Sequence, residues 1–111
     1  MQNNYNSTIN GIIGNILFDA GISYSCELTQ QNINSGTNKF YLMQIVFDGA
    51  NYHFCVRYGR VDEYGNSPVN KLFIKKEDAI KAFCKQFKAK TGNIWGSPDP
   101  FVQQRGLYLL K

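Results

Sequence analysis

A chain of 111 residues with net charge +4, 43% hydrophobic and 14% aromatic residues forms one domain with material for one core. The positive surplus permits contact with a polyanion without demanding it, and no apolar run is long enough to cross a bilayer. Three widely spaced cysteines, Cys26, Cys55 and Cys84, with no CxxC pair, argue against a disulfide framework and a zinc site and fit a reducing compartment.

In chain order, residues 1–13 read as a polar, flexible N-terminal tail and 14–111 as the folded module. The opening MQNNYNSTIN is Asn-rich and carries the loose character of a chain terminus. Asn6-Ser7-Thr8 fits a glycosylation sequon, but no basic and apolar leader accompanies it, so we read it as a chance match. In GIIGNILFDAGISYSCEL short apolar bursts around glycines predict two small strands near 15–18 and 22–28. QQNINSGTN follows as a polar loop.

The core begins after Lys39. Residues 40–47, FYLMQIVF, carry large apolar side chains on both faces, which predicts a strand buried on one side and largely covered on the other. Asp48-Gly49-Ala50-Asn51 is a turn. Tyr52, Phe54, Val56 and Tyr58 then alternate with His53, Cys55 and Arg57, so this strand pairs back as an antiparallel hairpin. Residues 61–64 are expected to continue the strand, 65–68 to turn it, and Val69 to Ile74 to return.

Residues 76–90 are the clear helix. Ile80, Phe83, Cys84 and Phe87 recur at helical spacing and make the expected buried stripe. Glu77 and Asp78 in the first turn and Lys88 and Lys90 in the last complement the helix dipole, and Gly92 is the expected stop. Lys81, Lys85 and Lys88 share a flank that reads as a solvated face. Trp95 is expected to plug the core, and residues 106–110 to form a last strand. The predicted class is α+β: a small antiparallel β-sheet with one main helix packed across it.

Catalytic constellations do not emerge. His53 is a lone histidine in mid-strand and reads as structural. Asp62-Glu63 and Glu77-Asp78 are adjacent carboxylates, which a strand splays to opposite faces and a helix start uses for its dipole, so neither is an acid/base dyad. Gly11-Ile12-Ile13-Gly14 matches a GXXG loop without the preceding helix that motif requires. No phosphate loop or dinucleotide fingerprint occurs. The expectation is a non-enzymatic module without cofactor or metal.

Asn38-Lys39-Phe40-Tyr41, QIV, YHFCVRYGRVDEYG, KKEDAIKAFCKQFKAKTGNIW and Gly106-Leu107-Tyr108 together resemble a WGR domain. This is the module that precedes the helical and catalytic regions of DNA-dependent poly(ADP-ribose) polymerases. The resemblance spans about residues 14–110. It implies a nuclear, non-catalytic module that recognises the 5′ phosphate and terminal sugar of double-stranded DNA ends or nicks without base specificity. It also implies a relay to the helical and catalytic domains of an ADP-ribosyltransferase, in cis or in trans, in the DNA damage response, and no membrane partner.

By that resemblance the family's Trp-Gly-Arg falls on Tyr58, Gly59 and Arg60, its asparagine on Asn38, and a last-strand tyrosine near the 5′ phosphate on Tyr108. Lys39, Lys90 and Arg105 are further expected phosphate contacts. Two departures stand out. Tyr replaces Trp at position 58, and Lys75 stands where the family has a serine before the helix. Tyr offers a sugar a smaller flat surface edged by a hydroxyl. Gly59 is expected to let the strand bulge, so that Tyr58 and Arg60 project together to grip sugar and phosphate. Residue by residue, Tyr58 and Tyr108 could equally be strand packing, Arg60 a solvated charge or a partner of Glu63, and Asn38 a turn residue. Loss of the Trp also favours a second reading, a protein-interaction module that no longer binds DNA and docks a partner subunit.

Overall fold

The computed structural model describes residues 8–32, 34, 36–61 and 67–111. Among them lie strands β1 (Asn15–Ile16), β2 (Phe18–Asp19), β3 (Ile22–Ser23), β4 (Ser25–Asn32), β5 (Thr37–Phe47), β6 (Tyr52–Arg60) and β7 (Ser67–Phe73), the helix α1 (Lys76–Thr91), and β8 (Leu109–Leu110). The main sheet runs β7-β6-β5-β4-β8, with β1 added antiparallel to the end of β5, and β2 and β3 form a separate small hairpin. The α+β class is as the sequence predicts.

The β5–β6 hairpin is the frame. Asp48 closes it: its Oδ1 accepts from the backbone N–H of Ala50 (2.8 Å) and Asn51 (2.7 Å), an Asx turn that replaces the missing ladder partners. His53 on the adjoining strand places its Nε2 2.6 Å from Asp48 Oδ2, which gives the single histidine the structural role its setting suggested.

Pleating puts Tyr41, Met43 and Ile45 of β5 opposite Tyr58, Val56 and Phe54 of β6 on one face, and α1 packs there. Phe83 is fully buried and meets Tyr24, Phe54 and Trp95 edge to face at 5.3, 6.0 and 5.3 Å. Phe87 meets Trp95 at 5.0 Å and Phe101 at 6.3 Å. Trp95 packs against the core, partly buried, with its indole Nε1 buried and without a hydrogen-bond acceptor among the described residues. The most buried helical stripe is Ala79, Phe83, Phe87 and Thr91, while Ile80 and Cys84 are only partly buried. The buried stripe is thus turned relative to the expected one, with Ala79 and Thr91 in place of Ile80 and Cys84.

The opposite face is closed by the chain's own start. Gln44, Val46 and Cys55 are buried there. Ile9 N–H donates to Gln44 Oε1 (2.9 Å), and Asn10 accepts from Arg57 Nε (3.1 Å) while donating to Asn70 Oδ1 (2.7 Å). Ile9 and Asn10, expected in a loose tail, are thus pinned across β5, β6 and β7; residues 1–7 lie outside the described residues. Gly14 passes so close to β5 that a Cβ there would stand 2.4 Å from the Phe47 carbonyl oxygen, which explains this glycine without a nucleic-acid loop.

The polar QQN and TN, expected in a loop, instead extend β4 and β5 through the pairs Gln31↔Asn38 and Asn32↔Thr37. The expected strand over 61–64 and turn over 65–68 fall largely outside the described residues; Val61 is in a turn and β7 already begins at Ser67. The last strand is confined to Leu109–Leu110. Helix α1 begins after Lys75, which makes no side-chain cap, and ends at Gly92, whose φ of 74° and N–H bond to the Lys88 carbonyl (2.8 Å) form a left-handed cap.

Candidate functional site

The sequence-predicted residues gather at one end of the sheet, where β6 finishes, β5 starts and the chain arrives at β8. The pairing is unbroken there: Tyr41↔Tyr58, Phe40↔Gly59, Lys39↔Arg60. The expected bulge at Gly59 is therefore absent. Tyr58 and Arg60 share a face because they stand two residues apart on an extended strand, and Gly59 lies on the other face, across from Phe40.

Tyr58 is 41% exposed. Its ring stacks on that of Tyr41 at 5.5 Å with an interplanar angle of 20°. Tyr41 also meets Tyr108 at 5.8 Å, and Lys90 Nζ stands 4.8 Å above the Tyr41 ring centroid. The result is a row of three rings ending in an exposed one, with a cation held over the middle.

Each position has a local cause. Tyr41 is buried and its hydroxyl accepts from Gln86 Nε2 at 2.6 Å. Burial pushes its phenol above the ordinary range, the Gln86 bond opposes this, and neighbouring Tyr58 and Tyr108 add to the rise. Burial likewise raises Tyr108, so both rings stay neutral at physiological pH. Tyr108 is delivered by the end of the helix: its N–H donates to the Lys90 carbonyl at 2.9 Å. Lys90 sits in the last turn of α1, where its charge is favoured.

Lys39 and Arg60 lie side by side on exposed strand ends on the same face as the ring row. Arg105 is exposed in the turn before Gly106, and Gln30 Nε2 ties that turn to β4 by donating to the Gly106 carbonyl at 2.9 Å. Since Gln30 pairs with Lys39, the turn, Lys39 and Arg60 stand in lateral sequence across the sheet end. Asn38 is the exception. Strand alternation turns it to the opposite face, and its carbonyl accepts the Val61 N–H at 2.8 Å. The structure thus groups Tyr58, Arg60, Tyr108, Lys39 and Lys90 on one side, with Arg105 at the margin, and sets Asn38 apart.

Sequence reasoning missed Tyr41 and Gln86. Tyr41 looked like one more core aromatic, and Gln86 carried no signal. The register that faces Tyr41 with Tyr58 was the only available clue. The two buried cysteines, Cys26 and Cys55, offer no competing chemistry. Burial pushes Cys26 to about 12 and Cys55 to about 11, far above the range of reactive thiolates. Among the described residues no group of His, Cys, Asp and Glu side chains could hold a metal ion, and no helix is long and apolar enough to cross a membrane.

Comparison with known proteins places the chain among relatives. The family model described as the WGR domain matches residues 24–102. Over 88 residues, 78% of the chain, the sequence is 44% identical to protein mono-ADP-ribosyltransferase PARP3 of Homo sapiens, covering 16% of that protein. It is 33% identical over 87 residues to poly [ADP-ribose] polymerase 2 of Homo sapiens, 77% of the chain and 15% of that protein. It is 31% identical over 101 residues to poly [ADP-ribose] polymerase 1 of Arabidopsis thaliana, 85% of the chain and 10% of that protein.

Proposed function

The chain belongs to the WGR domain family, and from that premise we propose that it is a non-catalytic module that recognises DNA strand-break ends. It binds the 5′ phosphate and terminal sugar without reading bases, in the nucleus, and relays occupancy to the helical and catalytic domains of an ADP-ribosyltransferase. Because the chain spans no more than about a sixth of the relatives' length, that relay is part of the proposal.

One observation carries the reading: a 41% exposed ring at position 58, followed two residues later on the same strand face by a guanidinium. An aromatic plane suits the apolar face of a deoxyribose, and a guanidinium fork suits phosphate oxygens. Tyr108, Lys39, Lys90 and Arg105 add hydroxyl and cationic contacts around them. Contacts of this kind position a protein on the backbone and carry no sequence information. Asn38 faces the other way and is suited to a second surface, such as a partner domain.

The test is a fluorescence-anisotropy titration of blunt duplexes with and without a 5′ phosphate, at two salt concentrations. The expected result is tighter binding to the phosphorylated end and a shallow salt slope, about 0.9 per phosphate contacted. Arg60→Ala should weaken binding by about 1–3 kcal/mol, the scale of a charge-assisted contact. Absence of binding at low salt would instead favour a protein-docking module, a reading supported by the coverage of one Tyr58 ring face by Tyr41.

A further inference from the structure

A groove of about 440 Å³ opens beside Tyr58, within the ~300–1,000 Å³ range of small-ligand clefts. Its floor follows β6 from Tyr58 back through Val56 to Phe54. Val69 and Lys71 of β7 form one wall, and Lys90 of α1 stands on the other. Lys71 pairs across the strands with Phe54 and its Nζ stands 5.5 Å from the Phe73 ring centroid, so one cation stands at the inner end. Lys90, held over Tyr41, stands near the mouth. No carboxylate lines the groove among the described residues.

We infer that this groove receives the unpaired nucleotide of a DNA end that carries a short 5′ overhang. The inference rests on the reading that Tyr58 meets the terminal sugar, and it adds where the base borne by that sugar goes when it is unpaired. A flat floor of rings and aliphatic side chains accepts the face of any base. Lysines on opposite walls, with no carboxylate lining the groove among the described residues, favour the phosphate that links the unpaired nucleotide to the duplex. An aromatic platform inside a cationic groove is how single-stranded nucleic acid is held without sequence preference. A purely apolar peptide would leave both ammonium groups without counter-charge.

The experiment compares three 5′-phosphorylated duplexes of the same core sequence: blunt, with one unpaired 5′ nucleotide, and with one unpaired 3′ nucleotide. The expected result is about fivefold or greater preference for the 5′ overhang over both others, the gain of stacking one base. Val69→Phe, which fills the groove, should bring that ratio to near one, and Lys71→Ala, which removes the inner cation, should reduce it. Both side chains are exposed on an edge strand, and thermal melts confirm that the variants are folded. Equal affinity of the unaltered protein for all three duplexes overturns the groove assignment while leaving end recognition in place. So does an undiminished preference in both folded variants. Failure to bind any duplex overturns end recognition itself and the groove assignment with it.

Discussion

Tyr41 and Tyr58 stack across β5 and β6 with ring centroids 5.5 Å apart, yet Tyr41 is 6% exposed and Tyr58 41%. The inner ring is fixed by Gln86 and carries Lys90 above it, so the outer ring is held on a rigid support and keeps surface to offer. Tyr58→Ala should lower affinity for a 5′-phosphorylated end by about 1–3 kcal/mol, the range for an aromatic that stacks on a nucleotide. Tyr58→Trp should raise it by enlarging the platform. Anisotropy titrations check both, and urea melts should show little loss of stability because the ring is already half in water.

Tyr41→Phe keeps the stack and deletes the hydroxyl that accepts from Gln86. It should cost about 0.5–1.5 kcal/mol of folding stability, the net worth of one hydrogen bond. Chemical denaturation measures it. Phe83→Ala, by contrast, should cost about 3–5 kcal/mol, because a fully buried ring leaves a cavity among Tyr24, Phe54 and Trp95.

Helix α1 was legible because its apolar spacing, its acidic start and its basic end all agree. The β5–β6 hairpin was legible from alternation and an Asp-Gly turn. The outward pairing of Asn32 with Thr37 was hidden, since polar residues in a strand that projects past the core leave no hydrophobic pattern. Ile9 and Asn10 were hidden because side-chain bonds to Gln44, Arg57 and Asn70 join positions far apart in sequence. At the candidate site the structure leaves Tyr58 and Arg60 exposed on one strand face, but the bulge expected at the glycine between them is absent from the continuous register. Tyr41 could be recognised only once the register set it against Tyr58.

The helix start supplies a gain-of-stability prediction. Lys75 occupies the N-cap with extended backbone angles and no side-chain bond to the first turn. Lys75→Ser adds an oxygen that can accept from those free N–H groups and should stabilise the fold by about 0.5–2 kcal/mol. A rise in thermal midpoint measures it.

Asp48 gives the pH dependence. Two backbone N–H donors, led by Asn51, together with His53 hold its carboxyl at about 2, below the ordinary 3.8. A depressed folded-state value means that the carboxylate's contribution is fully present above the ordinary value and is lost as pH falls through the folded one. Asp48→Asn should therefore melt at a lower temperature than the unaltered protein at neutral pH. The gap should narrow below pH 3.8 and close near pH 2. A gap independent of pH across that window would show that the charge plays no part.

The most direct test of the binding site is an NMR experiment on the protein saturated with a short 5′-phosphorylated duplex, isotope-filtered to show only contacts between protein and DNA. Cross-peaks should join the Tyr58 ring protons to the deoxyribose protons of the 5′-terminal nucleotide, with the Tyr108 and Arg60 resonances shifting along the same titration. Saturated binding with the Tyr58 ring signals unmoved, or with cross-peaks arising only from internal sugars, would contradict the assignment.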